Sequence, residues 1–492
     1  MVRTLTIKYF DTKVFIFIVI IIALFLRLAN INQSLWLDEA IGAEAVKNYS
    51  YTGILSEFIR NDNHPPLYYL TLKAWTDYFG YSELALRAPS IIFGLFTIYL
   101  TYLISKKLNP GGSFLYTFLS TLFLATSQLH IYYSQEARMY SMAAFLASLT
   151  IYQFLCLTDP ETKPRFWYLF SVSITALIFT DYLPVLLFPV MWIWAYILRK
   201  NKYWWRNFIA VHLPVVFFGI LWMPIFMTQS QHGRWLMETL TGWKEIAGGA
   251  TFKQIVLVWI KFSLGRISFS NRLIYYSVIL LSSIPISIAL LTSIVVRRKI
   301  YFLWMWLLIP LFSGLLLSLF FPAFIYFRFL YLLPAFYLIV AFGISSFHNK
   351  LFVKFLTICV LVINIFSWMV YIQDEYQQRE QWRGVTSFVE KNAKNDEVAI
   401  FEYPEPFTPY RWYATGKVLS QGVTDSISAN REKTYEKTQK TIRDRNGVYY
   451  FEYLSDISDP NKFVEEVLIK DGFIILEVYN FIGVGQVFYW VK

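Results

Sequence analysis

Long apolar runs alternate with short polar breaks through the first three quarters of the chain, and most runs approach the roughly 20 residues that an α-helix needs to cross a hydrocarbon core. They lie at about 14–29, 86–105, 113–133, 139–157, 166–180, 182–198, 207–227, 273–296, 300–320, 329–347 and 352–371, which predicts eleven membrane spans. Several are short or carry proline (Pro184, Pro189, Pro214, Pro285, Pro310, Pro334). A bundle tolerates this because neighbouring helices re-satisfy the freed backbone groups. The first run follows Lys8 and Lys13, is interrupted by Arg27 and has no small-residue cleavage site after it, so it reads as an uncleaved anchor.

Beyond residue 372 the pattern changes. QWRGVTSFVEKNAKNDEVAIFEY at 381–403 predicts a helix and then a strand. GVYYFEYL at 447–454, GFIILEVYNF and GQVFYWV predict further strands, and the polar stretch 425–445 is expected to be partly helical. The expected architecture is therefore mainly α: a polytopic membrane helix bundle over 1–372 and a small extracytoplasmic α/β domain over 373–492. No glycine-rich turn follows the first strand, which argues against nucleotide binding there.

Composition narrows the class. Of 492 residues, 56% are hydrophobic, 20% aromatic and only 16% charged, unlike a chain of soluble domains. The net charge of +11 divides into +15 before residue 373 and −4 after it. Its positive part is scattered in twos and threes between apolar runs, so nucleic acid is not an expected partner. Cys156 and Cys359 both fall inside apolar runs, which excludes a disulfide scaffold.

Lys and Arg in the short loops set the orientation. Arg3, Lys8, Lys13; Lys106, Lys107; Lys163, Arg165; Arg199, Lys200, Lys202, Arg206; Arg297, Arg298, Lys299; and Lys350, Lys354 fall on one side if the spans alternate. The positive-inside rule makes that side cytoplasmic, with the N-terminus inside and the C-terminal domain outside a plasma membrane. Of the acidic residues before 373, only Asp11, Asp159 and Glu161 then face inward. Two long outer segments, 30–85 and 228–271, carry Trp36, Leu37, Ile41, Trp75, Tyr78, Phe79 and Trp235, Leu236, Trp243, Ile246. These are expected to form amphipathic helices lying in the interface and roofing a cavity.

Candidate chemistry gathers on the outer side. In SLWLDEA at 34–40, Asp38 and Glu39 stand among interfacial apolar residues. Helical neighbours point about 100° apart, so one can serve as a base while the other orients it or holds a cation. Capping of a helix by Ser34 or Asp38 is the plain alternative. In NDNHPPLYYL at 61–70, Pro65 and Pro66 hold Asp62 and His64 at a rigid corner, or simply start a helix capped by Asn63. In YYSQEARMYS at 132–141, Glu136 and Arg138 are two residues apart and cannot pair along one helix face, so each needs a partner elsewhere. Asp181 is the lone acid between two spans. Arg266 and Arg328 are outward cations beside apolar runs, for which lipid headgroup contact is the ordinary alternative.

Transfer of a group from a lipid-linked phosphate needs a base for the acceptor hydroxyl, cations for the departing phosphate and a groove for the lipid. SLWLDEA, HPPLYYL, RAPSIIFGLFTIYLTYLISKKL, SQEARMYSM and RFLYLLPAF, in that order along the chain, resemble the polytopic C-type glycosyltransferases. The resemblance is to the family 39 protein mannosyltransferase-like enzymes and the lipid A aminoarabinose transferase group, covers about 1–400 and is strongest over 30–145. It implies inverting transfer of a sugar from a polyprenyl-phosphate donor to an extracytoplasmic acceptor (protein, glycolipid or polysaccharide) among membrane lipids. On the matching motifs Asp38 is the general base with Glu39 in support, and His64 borders the donor phosphate. Glu136 and Arg138 match the third-span motif, and Arg328 the arginine of a late motif, here followed by Phe329 where the family has Tyr. Asp62, Asp181 and Arg266 join them as substrate-binding candidates. Mg²⁺ or Mn²⁺ is a candidate cofactor, without a complete ligand set in the sequence. The competing reading is a transporter or lipid flippase, which would place its ionisable groups near the bilayer midplane rather than at the outer helix ends.

Overall fold

The computed structural model describes residues 12–109, 113–159, 162–240, 248–296 and 300–492. Among the sequence expectations, Arg3, Lys8, Asp11, Glu161, Trp243, Glu245, Ile246 and the basic triplet 297–299 lie outside these residues.

Helix covers each of the apolar runs, with unequal lengths. Among the described residues, six helical stretches are long and apolar enough to cross a membrane: Glu83–Leu108, Tyr140–Leu157, Lys202–Thr239, Arg272–Val296, Tyr326–Ser345 and Lys350–Gln373. A seventh candidate is broken, Phe114–Thr126 and Gln128–Ser134 meeting at 54°. Thr12–Leu28, Arg165–Thr180, Leu187–Ile197 and Tyr301–Leu317 are apolar but shorter. Side chains mark the helix starts: Ser82 Oγ accepts from Ala85 N–H, and Asn349 Oδ1 accepts from Leu351 and Phe352 N–H, satisfying donors that a first turn leaves free.

Burial sorts the helices. Tyr140–Leu157 and Leu333–Ser345 are buried almost throughout and form the centre of the bundle. By contrast, Leu213–Thr239 and Arg272–Val296 expose Phe217, Ile220, Leu280 and Leu281. An apolar belt of that extent is stable only against lipid, so the chain is a multi-pass membrane protein.

The two ends of the bundle differ. Lys107 pairs with Asp159, and Lys200 donates to the Thr158 carbonyl, so three of the basic loops share one end. Arg87, at the other end of the same 26-residue helix, lies about 30 Å away at 1.5 Å per residue, among the candidate site residues.

The C-terminal part is a five-stranded sheet in the order β2-β1-β3-β5-β4, with β1 Glu397–Phe401, β2 Leu419–Gly422, β3 Gly447–Phe451, β4 Ile474–Phe481 and β5 Gly485–Val491. β1 is parallel to β2 and β3, whereas β5 is antiparallel to β3 and β4. β1 and β3 are buried along their whole length because helices cover both faces. Ala399 and Phe401 pack with Val385 and Val389 of helix Trp382–Asn392; Val398 and Ile400 pack with Val464 and Leu468 of helix Phe463–Lys470. This is the period-two alternation of a strand. The sequence reading anticipated four of the strands and two of the helices; short β2 has too few residues to show a period.

Candidate functional site

Asp38 and Glu39 open the helix Leu37–Asn48. Neither Ser34 nor Asp38 caps it: the N-cap position is Trp36, with no side-chain hydrogen bond. Likewise Asn63 does not cap helix Leu67–Phe79, whose N-cap position is Pro66. Both motifs are thus free of the capping duty that was their plain alternative.

The two acidic neighbours diverge as helical geometry requires. Glu39 is fully buried against Arg87, Oε2 lying 2.5 Å from Nη2 and Oε1 2.9 Å from Nε, and the Ala137 amide donates to Oε1 at 2.8 Å. The remaining Arg87 donors reach the carbonyls of Ile31, Gln33 and Ser34 at 2.6, 2.7 and 3.1 Å. Burial alone would push the Glu39 carboxyl up; Arg87 overrides it and holds it below its ordinary value. Glu39 is therefore a structural anchor that ties the helix Leu37–Asn48 to the 135–139 turn.

Asp38 points elsewhere. Its side chain is 38% exposed, and Oδ2 lies 3.6 Å from Nη2 of Arg138, itself buried. Arg138 Nη1 donates to the Tyr69 hydroxyl at 3.1 Å, and that hydroxyl donates to Asp62 Oδ2 at 2.6 Å. Asp62 Oδ1 in turn lies 2.6 Å from His64 Nδ1 and accepts the His64 amide at 2.9 Å. Burial raises the Asp62 carboxyl, but His64, Arg138 and Tyr69 together bring it below the usual range. Asp38, Arg138, Tyr69, Asp62 and His64 form one continuous polar chain, joining three motifs spread over about 100 residues of the sequence.

Glu136 is buried and pairs with Arg379 at 3.0 Å. Arg379 also donates to the Tyr132 hydroxyl at 2.5 Å, and its guanidinium sits 3.8 Å above the ring centre. Arg266 stands over the same ring at 4.3 Å. Its backbone amide is held by Gln128 Oε1, while its guanidinium donates to no protein acceptor among the described residues. Arg328 uses one nitrogen on the Pro322 carbonyl at 3.1 Å. Asp181 accepts the Leu183 amide at 3.1 Å and lies within electrostatic reach of His64, Arg328 and Arg138.

The structure thus brings all nine sequence candidates to one end of the bundle. The sequence reading missed Arg87, Arg379 and Tyr69. Arg87 carried a signal, a cation heading an apolar run that needs a buried partner. Arg379 and Tyr69 carried none, since a basic residue in a polar stretch and a tyrosine in an aromatic-rich helix are both ordinary.

Two hollows flank this region. One, of about 650 Å³, lies between the first outer loop and the 375–384 segment, with Asn32, Gln33, Ser34, Gln378 and Arg379 on its walls. The other, of about 350 Å³, is nearly all apolar and lies between Trp75, Tyr78, Phe79 and Pro89, Ile92, Phe93. Tyr78 and Phe79 are an exposed apolar edge of the helix Leu67–Phe79. Asp38 lines neither hollow; its carboxylate is open beside Arg138.

The carboxylates do not fit a divalent metal. Glu39 and Glu136 are spent on arginines, Asp62 on His64 and Tyr69, and no group of three His, Cys, Asp or Glu among the described residues is placed to hold an ion.

The fold is that of the C-type glycosyltransferases, as its similarity to solved structures shows. ArnT from Cupriavidus metallidurans, in its structure bound to undecaprenyl phosphate, matches with a TM-score of 0.58 over 97% of both chains at 9% identity. The Archaeoglobus fulgidus oligosaccharyltransferase complex with Zn and sulfate matches at 0.51 and 12% identity, over 96% of this chain and 72% of that one. The arabinofuranosyltransferase AftD from mycobacteria matches at 0.51 and 12% identity, over 97% of this chain and 41% of that one. No family model and no curated protein matches the sequence.

Proposed function

We propose that the protein is a membrane glycosyltransferase that moves a sugar from a polyprenyl-phosphate donor to an extracytoplasmic acceptor with inversion at the anomeric carbon. The observation that carries this reading is the partly exposed Asp38 carboxylate held beside buried Arg138, at the same end of the bundle as two guanidiniums, Arg266 and Arg328, that have donors to spare. Solved structures of the same fold lend support: ArnT is bound to undecaprenyl phosphate, and an A. fulgidus oligosaccharyltransferase is in complex with an inhibitory peptide and a dolichol-phosphate.

In this mechanism Asp38 takes the proton of the acceptor hydroxyl as its oxygen attacks the anomeric carbon from the face opposite the phosphate. The bond from that carbon to the phosphate oxygen breaks, and the phosphate leaves with the electron pair. A phosphate departs as a stable anion, so it needs cations rather than a general acid; Arg266 and Arg328 supply them, and His64 borders the phosphate. Arg138 orients the base, and Tyr69 and Asp62 hold Arg138. The polyprenyl chain lies against the apolar helix edge at Tyr78 and Phe79. The membrane is the plasma membrane, with this end outside, and 1–372 and 373–492 act as transferase and extracytoplasmic domains.

The test is transfer by the reconstituted full-length protein from polyprenyl-phosphate monosaccharides to cell-envelope acceptors, read by mass spectrometry. Transfer is expected from wild type, and Asp38→Asn is expected to lose about 10²- to 10⁴-fold in turnover while still binding undecaprenyl phosphate. Full turnover in Asp38→Asn overturns the base; no transfer by wild type from any such donor overturns the activity.

A further inference from the structure

The helix Leu213–Thr239 is held to the bundle along a thin line. Among its described residues Val215 and Gln229 are the only buried ones, about 21 Å apart at 1.5 Å per residue, and most of the rest of the helix faces outward. A carboxamide buried on such a helix costs free energy unless its polar atoms are matched. Those of Gln229 are matched by two other segments of the chain. Nε2 donates to the Ile59 carbonyl at 2.9 Å and to the His64 carbonyl at 3.0 Å, and Oε1 accepts the Tyr182 hydroxyl at 2.7 Å. We propose that Gln229 is a positioning residue for the lipid-phosphate donor: it bridges the corner that carries Asp62 and His64 to the turn that carries Asp181, and so sets where His64 stands beside the donor phosphate. The inference rests on the glycosyltransferase reading and extends it to a residue that does not touch the substrate.

The direction of every bond in the bridge is fixed. Trp222 Nε1, which can only donate, gives its hydrogen to the Tyr182 hydroxyl at 2.8 Å. That hydroxyl donates onward to Gln229 Oε1, which leaves both Nε2 hydrogens for the two carbonyls, groups that can only accept. Trp222 and Gln229 are seven residues apart, two turns on one face of the same helix. Tyr182 is therefore gripped from both sides by one helix, directly after Asp181.

The corner on the other side needs such a hold. His64 is followed by Pro65 and Pro66, which have no amides to anchor the backbone. Asp62 Oδ1 holds the His64 amide at 2.9 Å and lies 2.6 Å from Nδ1, and Gln229 holds the carbonyl of the same residue. One turn beyond Gln229 the helix meets the corner again, a Cβ at Gly233 lying 3.5 Å from Asn63 Oδ1. From His64 the hydrogen bonds run on through Asp62 and Tyr69 to Arg138, the partner of Asp38. A methionine at 229 would fill the same space yet leave the two segments without a common tether.

The experiment compares Gln229→Met, Gln229→Glu, Tyr182→Phe, His64→Ala and the double variant of Gln229→Met with His64→Ala in the full-length protein. The readouts are affinity for undecaprenyl phosphate, transfer kinetics and hydrogen exchange of the His64 amide. Gln229→Met is expected to weaken undecaprenyl phosphate binding about tenfold, with kcat within about threefold of wild type. Gln229→Glu keeps the acceptor for Tyr182 but turns an oxygen toward both carbonyls, and is expected to lose at least as much. Tyr182→Phe leaves both Nε2 bonds in reach and is expected to lose about threefold. Exchange at His64 rises in both Gln229 variants. In the His64→Ala background Gln229→Met is expected to add less than about twofold, because it acts through His64, whereas a merely structural contact would add its full loss in either background. Wild-type affinity in either Gln229 variant, a loss confined to kcat, unaltered exchange at His64, or additive losses with His64→Ala overturns the inference. If wild type binds undecaprenyl phosphate but transfers no sugar, the glycosyltransferase reading fails while the affinities still decide the positioning role; if wild type does not bind undecaprenyl phosphate, the positioning role is overturned.

Discussion

Adjacent carboxylates on one helix turn serve opposite purposes here, because a rotation of about 100° sends one into the protein and the other toward solvent. Glu39 and Arg87 are a fully buried pair, and removing one partner strands the other charge. Arg87→Met is expected to cost about 3–5 kcal/mol, and replacement of both by apolar residues to recover much of it, measured by thermal unfolding in detergent. Tyr69→Phe keeps the ring but removes the hydroxyl that links Arg138 to Asp62. It is expected to lower kcat/KM by roughly tenfold with little change in melting temperature. In the sheet unit Glu402 is buried, bonded on one oxygen to the Tyr450 hydroxyl, and burial pushes its carboxyl up to about 8. The unfolded chain releases that proton near the ordinary glutamate value, so between about pH 4.5 and 8 the native state binds more protons than the unfolded one. Stability contributed by this group therefore falls as pH rises through that window, and Glu402→Gln is expected to flatten the pH dependence of unfolding.

At the scale of elements, the break in the third long apolar run matters most. Arg27, buried in the first helix, donates through Nη1 to the Ala125 carbonyl at 3.1 Å and through Nη2 contacts His130 Nδ1 at 2.6 Å, holding both sides of the bend. Past the bend, Gln128 holds the Arg266 amide, and Gly265, with φ +93°, leaves no room for a Cβ against the Gln128 side chain. Gly265→Ala is expected to displace Arg266, weakening undecaprenyl phosphate binding more than it lowers kcat, as read by titration and kinetics. The sequence marked Arg27 only as an interruption and left the bend unseen. An unbroken apolar run contains no residue that demands a turn, and the kink follows from what packs against it.

Across the whole molecule, the segment between the first helix and helix Glu83–Leu108 is clamped between the bundle and the sheet unit. Arg383 pairs with Glu83, and Arg411 with Glu44 at 2.7 Å. These pairs are partly exposed and each is worth about 0–1 kcal/mol, so the clamp depends on the hydrogen bonds made by Asn32, Ser34 and Leu35 to Arg383, Glu380 and Tyr413 rather than on charge alone. In the proposed orientation Glu57, in the segment before helix Leu67–Phe79, and Glu436, in the helix Arg431–Ile442, lie on the outer side with Asp38. Single cysteines at these positions, in a background lacking Cys156 and Cys359, are expected to react with an impermeant maleimide added to intact cells. Labelling that requires permeabilisation would reverse the orientation.

Local pattern determined much. Apolar runs of membrane-crossing length required helices, because unpaired backbone groups cannot persist in lipid; period-two alternation after 396 required strands; and Asp38, Glu39 and Asp62 stood out as acids set among apolar residues, where a charge needs a purpose. What the sequence could not supply was partnership. Whether Asp38 or Glu39 would be the buried one, that Arg138 would meet Tyr69, that Arg379 and Glu380 would reach back to the start of the chain: each depends on which surfaces meet. Those meetings are set by packing between segments hundreds of residues apart, which leaves no periodic trace in either segment.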